Sequence, residues 1–92
     1  MALTQIISGV KETHLPDDVK NKIILKLQEQ SQDLDQRVTD AHLKSSSVRS
    51  WWYTKIAQGI ITEIAPELAL VGKEIKRETY RAIYLSIATI DK

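Results

Sequence analysis

The chain has no cysteine among its 92 residues, which excludes disulfides, thiol nucleophiles and cysteine-based zinc sites. It has only two histidines, and neither has a second histidine close by to start a transition-metal set. No Gly-rich phosphate loop, helix–turn–helix pattern or D-x-[DN]-x-[DN]-G calcium loop is present. No cofactor and no metal site is therefore expected. Residues 1–10 lack a basic n-region and a small-residue cleavage site, so a cytoplasmic protein is expected. Long hydrophobic runs are missing as well. The longest weakly polar stretch, 51–72, contains Lys55, Glu63 and Glu67, and charges at a bilayer centre cost about 2.5–3.5 kcal/mol each. Net charge is +1, so no whole-molecule field draws in nucleic acid or anionic lipid.

What is present is the composition of a folded chain: 42% hydrophobic and 27% charged residues, with enough apolar material for one core. A single helical domain over residues 1–92 is expected. Apolar residues recur at helical intervals in four stretches. Leu3, Ile6, Ile7 and Val10 fall in one arc and predict a short first helix. Pro16 suits a first helical position, and Asp17 and Asp18 complement the positive end of the helix that follows. Val19, Ile23, Ile24, Leu27, Leu34, Val38 and Ala41 then share a face, which predicts one long amphipathic helix over 16–44. A partial heptad seam runs along it, broken by Ser31.

Ser45, Ser46 and Ser47 interrupt the pattern, and Ser47 is placed to cap a third helix over 48–64. Trp52, Ile56, Ile60 and Ile64 recur there at i+4, with Tyr53, Ala57 and Ile61 beside them. So broad an apolar arc requires cover from two sides, which makes this helix central. Pro66 ends it and starts a short turn reaching Gly72, a residue suited to a left-handed terminus. A last helix carries Ile75, Tyr80, Ile83, Tyr84, Ile87 and Ile90, although the β-branched segment 83–90 also reads as a strand. The fold expected is all-α: a small bundle of four to five helices.

Chemistry is harder to find than packing. His14 and His42 read as surface histidines. Glu29, Asp33, Asp35 and Asp40 crowd the polar side of the 16–44 helix without interleaved apolar residues. They read as a solvated face, or as an electrostatic patch that orients a partner. No nucleophile–base pair can be assembled from these residue types, so an enzyme is not expected. The segment 73–81 carries Lys73, Lys76, Arg77 and Arg81 on a helix flank, where phosphate contact is one reading. Glu74 and Glu78, three residues before Arg77 and Arg81, make ordinary surface pairing the other.

The triplet Trp51, Trp52, Tyr53 decides the preferred function. Adjacent helical residues point about 100° apart. Trp52 and Tyr53 fall in the apolar arc, while Trp51 projects beside Lys55, Gln58 and Thr62. Leu25 and Leu43 are outliers on the opposite line of the 16–44 helix, five turns or about 27 Å apart, as Leu85 is on the last helix. A tryptophan on a polar face is either covered by a neighbouring element or waits for a partner. The expectation is a protein–protein interaction or self-association domain acting by helix-face docking. Trp51, Leu25 and Leu43 would be its anchors, with Asp33 and Asp40 orienting the partner, another protein or a second copy. The alternative is a nucleic-acid-binding regulatory module using Lys73, Lys76, Arg77 and Arg81.

Overall fold

Helix termini and apolar stripes divide the chain into six α-helices among the residues described, 2–89 of a computed structural model. They are α1 (Ala2–Lys11), α2 (Asp17–Glu29), α3 (Ser31–His42), α4 (Ser46–Glu63), α5 (Ala65–Leu68) and α6 (Lys73–Thr89). No strand occurs among the described residues, so the all-α expectation holds. The strand alternative for 83–90 fails as far as Thr89, and Ile90 lies outside the described residues. Ile83 and Ile87 are fully buried on α6. Packing of that apolar face outweighs the weak strand preference of a β-branched run.

The single long helix over 16–44 is not formed. Gln30, with φ −112° and ψ 18°, separates α2 from α3. Leu27 and Leu34 are buried, but no residue between them is, so no packing holds a straight helix across the polar gap. The break frees each half to find its own partners. α2 packs on α1 and α5, while α3 packs on α1 and α4. Pro16 stands one residue before α2 rather than inside it, its carbonyl accepting the first helical bond from Lys20 N–H at 2.8 Å. Asp17 and Asp18 occupy the first turn as anticipated.

The third helix begins earlier than 48. Ser47 lies within α4 and does not cap it. Its hydroxyl lies 3.1 Å from that of Ser45, which precedes the helix without a side-chain cap bond. Gly72 takes no left-handed conformation. The turn closes through Leu70 N–H to Glu67 O and Val71 N–H to Leu68 O, and the Gly72 carbonyl opens α6 by accepting Lys76 N–H at 3.0 Å.

α4 does have cover on two sides, from α3 and α6. These two also touch α1, so α1, α3, α4 and α6 close a ring of contacts, and α2 with α5 bridges from α1 to α4. Ile6, Ile23, Leu34, Ile60, Ile64 and Ile83 meet in the interior. Its radius of gyration, 12.5 Å, agrees with the value of about 12 Å for a folded domain of this length.

Polar contacts fasten the helix ends. Leu3 N–H, at the start of α1, donates to Asp35 of α3 at 3.2 Å, which takes Asp35 out of the solvated acidic face. Lys20 Nζ donates to the carbonyls of Lys11, the last residue of α1, and of Thr13 just past it, where a cation complements the helix C-terminus. Lys26 Nζ reaches the Glu63 carbonyl at 3.1 Å and the Glu67 carboxylate at 2.7 Å, tying α2 to the α4–α5 junction. The lysine hydrogen bond holds the Glu67 carboxyl below its ordinary pKa.

Candidate functional site

The buried residues of α4 are Tyr53, Ile56, Ala57 and Ile60, and each i+4 step advances about 40° around a helix axis. Ile60 and Ile56 remain within the buried arc, but one further step back carries Trp52 past its edge. Trp52 is 37% exposed, and its expected burial is corrected. Trp51 is 55% exposed, as its polar neighbours imply. The two indoles pack edge to face, centroids 5.1 Å apart.

The same arithmetic puts Val48, Trp51, Trp52 and Lys55 on one flank of α4, within about 100° of arc. Val48 is also exposed. Lys55 Nζ lies 5.2 Å from the centroid of the Trp51 ring, and Lys44 Nζ, from the α3–α4 turn, lies 4.7 Å from that of Trp52. The contact from Lys44 places the turn beside Trp52. Leu43, the preceding residue, is 79% exposed. Arg49 Nε donates to the Lys44 carbonyl at 2.8 Å and fixes the turn from the α4 side. The α3–α4 corner thus carries exposed Leu43 in its turn and exposed Val48, Trp51 and Trp52 on α4, with Lys44 and Lys55 over the two indoles.

A cleft of about 110 Å³ opens beside Trp52, lined by Arg37, Asp40, Lys55 and Ile56 as well. Gly59 shapes its surroundings. A Cβ there would stand 3.3 Å from Nη2 of Arg37, so the guanidinium lies against bare backbone. Asp33 is the exposed partner of Arg37 at 3.7 Å. Asp40 accepts a bond from Gln36 at 3.0 Å and lines the cleft.

Leu25 does not join this corner. It is exposed, but it lies on α2, and the break at Gln30 removes the straight line that related it to Leu43. Leu70 and Leu85 are exposed elsewhere, in the α5–α6 turn and on α6. Reading by spacing placed Lys55 beside Trp51 but missed Val48, Lys44, Arg37 and the exposure of Trp52. One signal was available: α4 carries Arg49 and Lys55 but no acid before Glu63.

On the other side, Lys73, Lys76, Arg77 and Arg81 are all exposed on α6. Glu78 does not pair with Arg81. Its carboxylate instead accepts the His14 backbone N–H at 2.7 Å and contacts His14 Nδ1 at 2.6 Å, fastening the α1–α2 connection to α6. The backbone bond and then the side-chain bond from His14 hold the Glu78 carboxyl below its ordinary value. His14 is exposed, as expected, but His42 is half-buried, with Tyr53 Oη 2.8 Å from its Nδ1. A furrow of about 300 Å³ between α1 and α6 is lined by Glu12, Thr13, Glu78 and Arg81. Its Thr13 hydroxyl and Glu78 carboxylate already have partners within the chain.

Among the described residues no helix is long and apolar enough to cross a membrane, and no cluster of three or more histidine, aspartate or glutamate side chains comes together. No protein-family model, curated protein or solved structure matches this chain.

Proposed function

We propose that this protein is a small interaction module, an adaptor or assembly domain of the cytoplasm, that docks a polypeptide partner on the α3–α4 corner. The observation supporting this reading is that Leu43, in the α3–α4 turn, and Val48, Trp51 and Trp52, on one flank of α4, are all exposed, with the two indoles packed on each other. Single exposed apolar residues are ordinary, but a contiguous group marks an interaction surface. Tryptophan is the residue type most enriched among those that dominate binding energy. Docking needs no cofactor and no reaction. Asp40, at the cleft, and Asp33, through Arg37, orient the partner, while Leu25 stands outside the contact. The partner is another protein or a second copy of the chain.

Paired Trp51→Glu and Leu43→Glu substitutions test this. Both positions are exposed, so the far-ultraviolet circular dichroism spectrum should be unchanged, while sedimentation across a concentration series and partner capture should show association lost. Undiminished association of a folded double variant would overturn the reading.

A second reading, nucleic-acid binding by Lys73, Lys76, Arg77 and Arg81, is favoured by one observation. Glu78 turns to His14, and Arg77 and Arg81 form no ion pair among the described residues. Phosphate contacts would then give affinity that falls steeply with salt. Charge reversal at Arg77 and Arg81 should remove binding to an oligonucleotide, and a flat salt dependence would exclude this mode.

A further inference from the structure

We infer that the partner of the α3–α4 corner presents an acidic, leucine-rich segment, seating an aliphatic side chain in the cleft beside Trp52 and carboxylates on Lys44 and Lys55. This rests on the reading of the corner as a docking surface and adds the chemistry of what docks there. Charge is the first ground. Lys44 lies over the Trp52 ring and Lys55 over the Trp51 ring, Arg37 lines the cleft, and α4 has no acid before Glu63. Complementary charge steers encounter and rejects like-charged partners. The same surface on a second copy would set these lysines against each other, so a face-to-face dimer through this corner is disfavoured.

Size is the second ground. A cavity of roughly 150 Å³ holds a benzene molecule, so the cleft of about 110 Å³ matches a branched aliphatic side chain. Trp52 and Ile56 supply its apolar wall. Asp40 offsets one of the two cations lining the cleft, Arg37 and Lys55, whereas Lys44, outside it over Trp52, has no carboxylate partner among the described residues, so the partner's acids are drawn toward the turn. That asymmetry sets the orientation of the segment.

The geometry also weighs against the two other anionic partners. Single-stranded nucleic acid binds by stacking bases on open aromatic faces, but Lys44 lies over the Trp52 ring, Lys55 lies over the Trp51 ring, and the two indoles pack edge to face. An anionic membrane surface would draw the indoles and the cleft into the headgroup layer, where Asp40 would lose hydration without gaining a cation.

The experiment uses the whole chain with a short fluorescein-labelled helical peptide of leucine and glutamate arranged as an apolar stripe and an acidic face. The matching leucine–lysine peptide, oligothymidylate and phosphatidylserine vesicles are the comparison probes. The acidic peptide should bind and shift the indole Nε1–H resonances of Trp51 and Trp52. Lys44→Glu and Lys55→Glu should each weaken it about tenfold, and Asp40→Asn should tighten it. Preference for any comparison probe at these indoles would overturn the inference, as would acidic-peptide binding that survives both charge reversals. Self-association abolished by Trp51→Glu, without acidic-peptide binding, would overturn the acidic partner while leaving the docking surface standing. Neither peptide binding nor self-association would overturn both.

Discussion

Tyr53 Oη lies 2.8 Å from Nδ1 of His42, and the two rings meet edge to face with centroids 5.2 Å apart. The pair joins the end of α3 to the first half of α4, one residue along the chain from Trp52. Tyr53 also packs edge to face on Tyr84 of α6, at 6.4 Å. One buried phenol thus anchors the corner to the body of the molecule. Its hydroxyl is the part that sequence spacing cannot assign.

Tyr53→Phe keeps the ring and removes the hydroxyl. A net loss of about 0.5–1.5 kcal/mol is expected for one hydrogen bond, read as a lower urea midpoint with an unchanged slope. The amide resonances of residues 42–45 should move with it. A midpoint equal to wild type would show that the bond contributes nothing at the corner.

The two tryptophans should behave alike. Trp51→Ala and Trp52→Ala are expected to cost less than the roughly 3–5 kcal/mol of emptying a fully buried aromatic site, since both side chains reach solvent. Ile60→Ala, in the interior, should cost about 2–5 kcal/mol. Denaturant titration of the three variants checks the order, and a Trp52 loss equal to or above that of Ile60 contradicts the exposed-flank assignment.

Gly9 is where α1 and α6 approach closely. A Cβ there would collide with Ser86 Oγ and stand 3.2 Å from the Ala82 carbonyl, and Ser86 Oγ is held by its own 2.7 Å bond to that carbonyl. Gly9→Ala would gain up to about 1 kcal/mol in helix propensity. Overpacking, typically about 1–3 kcal/mol, should exceed that gain. Adding Ser86→Ala should recover part of the loss. A stabilised single variant would mean that the helices separate at little cost.

Glu78 makes stability depend on acid. Its folded-state pKa lies below the ordinary 4.5 because of the His14 bonds, so the unfolded chain takes up its proton first as pH falls. The contribution is present above about pH 4.5 and is lost as pH drops through the lower folded value. Glu78→Gln should therefore flatten the pH dependence of the urea midpoint below about pH 4.5. A profile as steep as wild type would place the acid sensitivity elsewhere.

The spacing of apolar residues by itself determined the helical class, because burying one stripe demands a 3.6-residue period wherever it occurs. Ile56, Ile60, Ile83 and Ile87 face the interior as that period requires. Trp51 was legible as an outlier because its helical neighbours are polar. The break at Gln30 was legible only as a polar gap between Leu27 and Leu34, with Ser31 interrupting the seam and neither proline nor glycine marking a stop. That the chain bends there was decided by packing, α2 on α5 and α3 on α4. Trp52 sat at the edge of an arc whose limits are drawn by the neighbouring helices α3 and α6, not by the residues of α4. Lys44 and Arg37 joined the site from another helix and its turn, and Glu78 left Arg81 for His14, 64 residues away in sequence. Local periodicity specifies each helix, but long-range packing and charge pairing specify which flank remains exposed.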